Sequence, residues 1–399
     1  MKRLLTIALG VWLLALVVIP AQAGFSSLYV FGDTLSATAD PLATPSPYFY
    51  GQRDSNGRVW VEVLAQRQGL TFDNSKNSSY WDHNSSLLAG ELNNFTPPAD
   101  VANDLFIVWV CNADTFDAAS TAINSQNKNI TVLLNQFISA NILAQANDLQ
   151  IILNLYAKGV RTLVLPNVVD ISEIPAFNQG NLTSVLRPGC VDYNARFTAT
   201  INQAKALCPG LTIYTPDFYT LLNNVLANPA NYGLVNALSG GFSIDALDDP
   251  SIVNLTLNGQ GTNYIFWDPQ DPTAKFHEVI ADIAQQIISP VVISKLTVGK
   301  GSNRLDVVNV PVGLNGFVES SPNWALANWA FVTNFSGTTM AQSLAVNAPP
   351  LPPSTPAGGT GGNGSIDPND PNNQNNTYIA PTNSAQFYRL HFPFAWSWP

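Results

Sequence analysis

The sequence predicts an α/β protein, with a parallel sheet covered by helices on both faces and a small β-rich module after it. Residues 105–110 are an unbroken apolar run of the kind found in strands buried on both faces, and 161–165 read as another buried strand. Longer stretches between and around them, such as residues 131–157, carry apolar side chains at helical spacing. After Pro290 the texture shifts to short strand-like runs separated by Gly, Asn and Pro. Strands that alternate with helices need crossover connections, and those make a sheet parallel.

The chain opens with Lys2-Arg3, an apolar run over 4–19 and Ala21-Gln22-Ala23. A basic start, an apolar stretch and a small-x-small end form a secretory signal over 1–23, with cleavage expected after Ala23 and export of the remainder. The run is short for a membrane span, and no later segment reaches 18 unbroken apolar residues. An α/β domain is expected over 24–290. Residues 28–31 form a first strand that breaks at Gly32-Asp33, and 59–70 read as a helix. Residues 161–165 end at Pro166-Asn167, 193–207 are helical, and 211–214 make a fourth strand. Residues 273–288 place Phe276, Val279, Ile280, Ile283 and Ile287 on one helical face. In the β-rich module, 291–399, strands are expected over 293–310, 316–320, 329–332 and 386–390. Residues 349–377 are nearly all Pro, Gly, Asn, Ser, Thr and Asp and read as a flexible insertion. Trp396 and Trp398 in the aromatic tail pack on the main domain or bind sugars.

Charged residues are only 11% of the chain, against about 25% in ordinary domains, whereas hydrophobic residues reach 46%. Without Lys2 and Arg3, 15 cations face 27 anions. So acidic a chain lacks the basic footprint that nucleic acid or an anionic membrane requires. Cys111, Cys190 and Cys208 are too scattered for a zinc site. A bridge between Cys190 and Cys208 would have to join the ends of one helix, so no disulfide is expected.

Four blocks carry the chemistry. The first is Tyr29-Val30-Phe31-Gly32-Asp33-Thr34-Leu35-Ser36. Ser55-Asn56-Gly57-Arg58-Val59-Trp60 and Val108-Trp109-Val110-Cys111-Asn112-Ala113-Asp114 follow, and Phe266-Trp267-Asp268-Pro269-Gln270-Asp271-Pro272-Thr273 is the last. In this order and spacing they resemble the GDSL, or SGNH, lipases and esterases over about residues 26–290. The resemblance implies a three-layer, flavodoxin-like α/β domain and hydrolysis of ester bonds in lipid, acyl or acetyl-carbohydrate substrates, without metal or cofactor. It also implies roles by position: Thr34 where the family has its Ser nucleophile, Asp268 at the triad carboxylate and Asp271 where the family has His. Asp33, Cys111, Asn112, Ala113 and Asp114 line the oxyanion region, with Ala113 replacing the family's Asn. Residues 80–86 replace the Gly-rich second block.

Such substitutions predict impaired catalysis. Threonine can act as a nucleophile, but its branched Cβ restricts the rotamer. An ordinary aspartate, with a pKa near 3.9, is a poor base at neutral pH. A catalytically inactive protein that binds an acyl or glycan ligand is the alternative. Of the three histidines, His83 lies in the replaced block and could reach the mouth of the site. His277 reads as helix packing, and His391 belongs to the module. Asp271 also reads as an N-cap, with Pro272 opening the helix. Asp33, Asp268, Asp271 and Asp114 would converge at the strand ends. Asn77, Asn84 and several other Asn-x-Ser/Thr triplets read as chance matches in so Asn-rich a chain.

Overall fold

The computed structural model describes residues 24–39, 46–179, 182–299, 301–321, 329–347, 387–393 and 396–397. The expected leader at 1–23, the insertion at 349–377, Trp398 and the Trp396 side chain lie outside them.

Four parallel strands form the main sheet in the order β1 (Leu28–Gly32), β2 (Leu105–Trp109), β3 (Thr162–Val164) and β4 (Thr212–Tyr214). Leu28 pairs with Leu105 and Gly32 with Trp109, so β1 and β2 end together. Along the outer edge of β1 runs the segment 77–80. Asn77 bridges Val30 in parallel, and the Ser78 N–H donates to the Val30 carbonyl at 2.8 Å. Counting that segment, the chain order across the sheet is 2-1-3-4-5, the flavodoxin arrangement, in which ligands sit beyond the carboxyl ends of the strands.

Among the described residues, seven helices surround the sheet. These are α1 (Trp60–Arg67), α2 (Ser85–Glu91), α3 (Cys111–Asn124), α4 (Ile130–Ala157), α5 (Thr183–Leu207), α6 (Phe218–Ala227) and α7 (Ala274–Ile288). One group packs α1 on α7, and a second gathers α2, α3 and α5 around α4. Every residue of β2 is consequently buried. Cys111, next after the 105–110 run, opens α3. One expectation needs correction here. α5 begins well before residue 193, carrying Pro188 inside it, and Gly189 lets Phe137 of α4 lie where a Cβ would come within 2.6 Å. The α4–α5 contact also buries a polar pair, in which the Tyr193 hydroxyl donates to Asp148 at 2.7 Å. All three cysteines are buried and unbonded.

A small hairpin, β5 (Leu238–Ser239) with β6 (Phe242–Ser243), precedes α7. The module beyond α7 consists of β7 (Val292–Thr297), β8 (Ser302–Val308), β9 (Asn315–Ser321), β10 (Ala330–Ser336), β11 (Ala341–Asn347), β12 (Phe387–Phe392) and β13 (Trp396–Ser397). Two antiparallel sheets, β10-β9-β12-β13 and β11-β8-β7, enclose their own core of Leu305, Val307, Val318, Leu390 and Phe392.

Hydrogen bonds join the module to the end of α1. The Val312 N–H donates to the Arg67 carbonyl at 3.1 Å, and Arg67 Nη1 donates back to the Val312 carbonyl at 3.2 Å. Arg67 Nε also bonds Asp282 of α7 at 2.6 Å, both side chains being buried. Removing one partner of such a pair strands the other charge in the interior. Arg67→Ala should therefore lower unfolding stability by about 3–5 kcal/mol in urea titrations at pH 7. A loss below about 1 kcal/mol would show that Asp282 is compensated by other groups.

Candidate active site

The loop that leaves β1 holds Thr34 in a short 3-10 turn, Thr34–Ser36. Asp33 caps that turn by accepting the Leu35 N–H at 3.1 Å. The turn is clamped from outside by Asn77, whose Nδ2 donates to the Ser36 carbonyl at 2.9 Å and the Thr38 hydroxyl at 2.8 Å. Trp60 Nε1 donates to the Ser36 hydroxyl at 3.0 Å, which ties the start of α1 to the same turn. Gly32 is required at the strand end, because a Cβ there would lie 2.6 Å from Ser36 Cβ and 2.9 Å from Ser79 Oγ.

The loop before α7 brings the carboxylates to this turn. Asp268 Oδ1 accepts the N–H groups of Gln270 at 2.8 Å and Asp271 at 2.7 Å, folding residues 268–271 back on themselves. The N-cap of α7 is Thr273, which accepts the Phe276 N–H, so Asp271 is not the cap that the sequence suggested. Its carboxyl instead lies beside Thr34, whose hydroxyl favours the charged form of Asp271. The Ser55-Asn56-Gly57 block secures that placement. Ser55 Oγ donates to the Pro272 carbonyl at 3.0 Å, Asn56 Oδ1 accepts the Ala274 N–H at 2.8 Å, and Gly57 packs flat against Ala274.

Electrostatics here are dominated by the exclusion of water. Thr34, Asp33 and Asp271 are 5%, 3% and 4% exposed. Burial pushes Asp33 up to about 7, although the Asn112 amide and the Ala113 N–H at the start of α3 favour its charged form. Burial likewise lifts Asp268 to about 7, against the pull of the two N–H groups it accepts. Asp271 is raised furthest in kind, by burial first and then by Asp268, Asp54 and Asp33 around it. Asp271 is thus a neutral acid where an exposed aspartate is ionised, and it becomes a stronger base than usual once deprotonated.

The other candidates separate. Asp114 does not join the cluster, because its carboxylate turns to α2 and accepts the Ser85 hydroxyl at 2.9 Å. Asp54 takes the fourth place instead. His83 is neither solvated nor aimed at Thr34. It is fully buried, with Nδ1 3.0 Å from the Gly32 carbonyl and Nε2 3.3 Å from Glu91, and its ring stacks on Tyr80 at 4.1 Å. His277 packs within α7, where burial pushes it down to about 3. His391 lies in β12. Asn112 Oδ1 accepts the Val169 N–H at 3.2 Å, Cys111 Sγ faces the Pro166 carbonyl, and Ala113 offers no side-chain donor. Among the described residues, no group of three or more His, Cys, Asp or Glu side chains is arranged to hold a metal ion.

Sequence reading missed Asn77, Asp54 and Ser79. Asn77 was hidden inside an Asn-x-Ser triplet, and Asp54 stands one residue before a block already singled out. Ser79 brings a buried hydroxyl without a hydrogen-bond partner beside Gly32, and nothing in its sequence context marks it.

Residues 28–284 match the family described as GDSL-like Lipase/Acylhydrolase. The chain belongs to that family. Among its relatives, two GDSL esterases/lipases of Arabidopsis thaliana are each 24% identical, over 49% and 53% of this chain and 55% and 56% of their own. The chain thus spans little more than half the length of those relatives. Similar solved structures include an extracellular lipase from Streptomyces rimosus, at 13% identity and TM-score 0.38 over 65% of this chain and 99% of that one. An acetylxylan esterase, Axe2, from Geobacillus stearothermophilus is 14% identical with TM-score 0.38 over 67% and 96%.

The burial of Asp33 has a measurable consequence. Between about pH 4 and pH 7 the folded chain keeps a proton that the unfolded chain releases, so stability falls as pH rises through that window. Asn caps a turn as well as Asp does. Asp33→Asn should therefore make the decline shallower, by up to about 1.4 kcal/mol per pH unit, in denaturation series from pH 4 to 8. An unchanged slope would place the titration elsewhere.

Proposed function

We propose that this protein hydrolyses ester bonds, with Thr34 as nucleophile and the Asp271 carboxylate as its general base, and that it works slowly at neutral pH. The observation that carries this reading is the placement of a buried carboxyl group beside the Thr34 hydroxyl at the carboxyl ends of β1 and β2. Deprotonated Asp271 would take the hydroxyl proton as oxygen attacks the ester carbonyl, then return it to the departing alkoxide, leaving an acylated Thr34. Water, activated by the same carboxylate, would release the acid. Asp268 serves as a positioning residue, because it fixes the backbone of residues 270–271 and touches neither reacting group.

Two features make the enzyme slow. Asp271 is held protonated through the range where an exposed aspartate ionises, so only a fraction of molecules carry the base. Ala113 supplies no side-chain donor to the oxyanion, and one such donor is worth about 10²–10³ in kcat. Small acyl esters and esters carried on a glycan are the substrate classes proposed. Export through the 1–23 leader is part of the same proposal, supported by its basic-apolar-small pattern.

A second reading, ligand binding without turnover, draws on the near-complete burial of both Thr34 and Asp271. p-Nitrophenyl acetate separates the two. The hydrolase reading expects a rate that rises with pH as Asp271 loses its proton and that vanishes in Thr34→Ala. Turnover that Thr34→Ala leaves intact, or none above buffer at any pH, would overturn it. The double change Thr34→Ser with Asp271→His should then raise the neutral-pH rate at least about 100-fold if the missing imidazole is what limits the chemistry.

A further inference from the structure

The module carries an organised surface that neither its own core nor the Thr34 site uses. In β9, Gly316 and Val318 face the core while Phe317 and Glu319 face outward. In β12, Leu390 and Phe392 face inward while Arg389 and His391 face outward. Phe331 of β10 is 60% exposed on that same outer face. It reaches there through a β-bulge. Phe335 pairs with Gly316 on the core side, and strict alternation would put Phe331 on the core side too. The register shift between Phe331 and Thr333 turns it outward, opposite Glu319.

The outward groups are ordered among themselves. Phe317 stacks on His391 at 4.5 Å and 23° and lies 6.0 Å from Phe331. The Arg389 guanidinium sits 4.4 Å over the Trp329 ring and pairs with Glu319 at 2.6 Å. Rings and hydrogen-bonding groups thus alternate across neighbouring strands on one face, with Phe331 the most exposed of them, and the Arg389–Glu319 ion pair cancels the charge there. We propose that the outer face of the β10-β9-β12-β13 sheet binds an extended neutral polysaccharide.

The chemistry selects this occupant. A sugar ring presents a C–H face that lies against an aromatic face, with hydroxyls at its rim to meet a carboxylate, guanidinium or imidazole. A neutral face on an acidic chain offers nothing to phosphate polymers or anionic lipid. Association of two copies would leave the Arg389–Glu319 pair to be desolvated without new partners, which is costly. The proposal is independent of hydrolysis at Thr34.

The full-length protein, run in native gels cast with hydroxyethylcellulose or soluble xylan, should be retarded relative to gels without polymer. Phe331→Ala and Phe317→Ala should each weaken retardation at least tenfold in polymer concentration. Phe331→Trp should retain it. Phe331 is exposed, so its variants are expected to melt with the parent protein. Absence of retardation in both polymers, or equal retardation of the alanine variants, would overturn the proposal. So would sedimentation data in which Phe331→Ala converts a dimer to monomer, or loss of binding to phosphatidylcholine vesicles in that variant, since each assigns the face to another occupant.

Discussion

A hydroxyl and a carboxyl group lie side by side in a place with almost no water, and the chemistry proposed for this chain turns on that pair. In solution a threonine hydroxyl and an aspartate have little to do with one another, because their proton affinities are too far apart for transfer. Burial narrows the gap by penalising the charged carboxylate, and the neighbouring acids narrow it further. In the proposed reaction the environment moves an ill-suited base toward its task and, by the same act, keeps it protonated. Activity and slowness would then share a single physical origin.

Holding that pair requires two loops, distant in sequence, to be fixed against each other. The β1 loop is pinned by Asn77 and Trp60, and its strand end by His83 through the Gly32 carbonyl. The loop before α7 is pinned by its own Asp268 and by Ser55 and Asn56. Segment 77–80 completes the sheet edge and then delivers both Asn77 and His83 to the turn. Where the sequence suggested a lost functional block, the fold has a brace.

The sheet was readable because its strands are short apolar runs with no competing pattern, as at residues 105–110. α4 and α7 were readable from helical spacing of apolar residues. α3 was not, since Cys111-Asn112-Ala113-Asp114 follows an apolar strand directly and lacks a capping side chain. The early start of α5 was masked by Pro188, which ordinarily ends a helix but is carried here inside one packed against α4. The convergence of Thr34, Asp268 and Asp271 was legible from the blocks that hold them. Their relations were not, because whether Asp271 caps a helix or meets a hydroxyl depends on a one-turn choice of cap, decided at Thr273 by tertiary contacts. The orientation of His83 was invisible for a similar reason, since its partner is a backbone carbonyl and not a side chain.

The module follows α7 directly in the chain, Val292 coming four residues after Ile288, and is tied back at Val312 to Arg67, where α1 ends and where Asp282 of α7 is also held. Both helices begin beside Thr34 and Asp271, and the Arg67–Asp282 junction lies about 12 Å further along them. The module is thus anchored at the far ends of the two helices, one by the covalent chain and the other by hydrogen bonds, and not at the loops that carry Thr34 and Asp271.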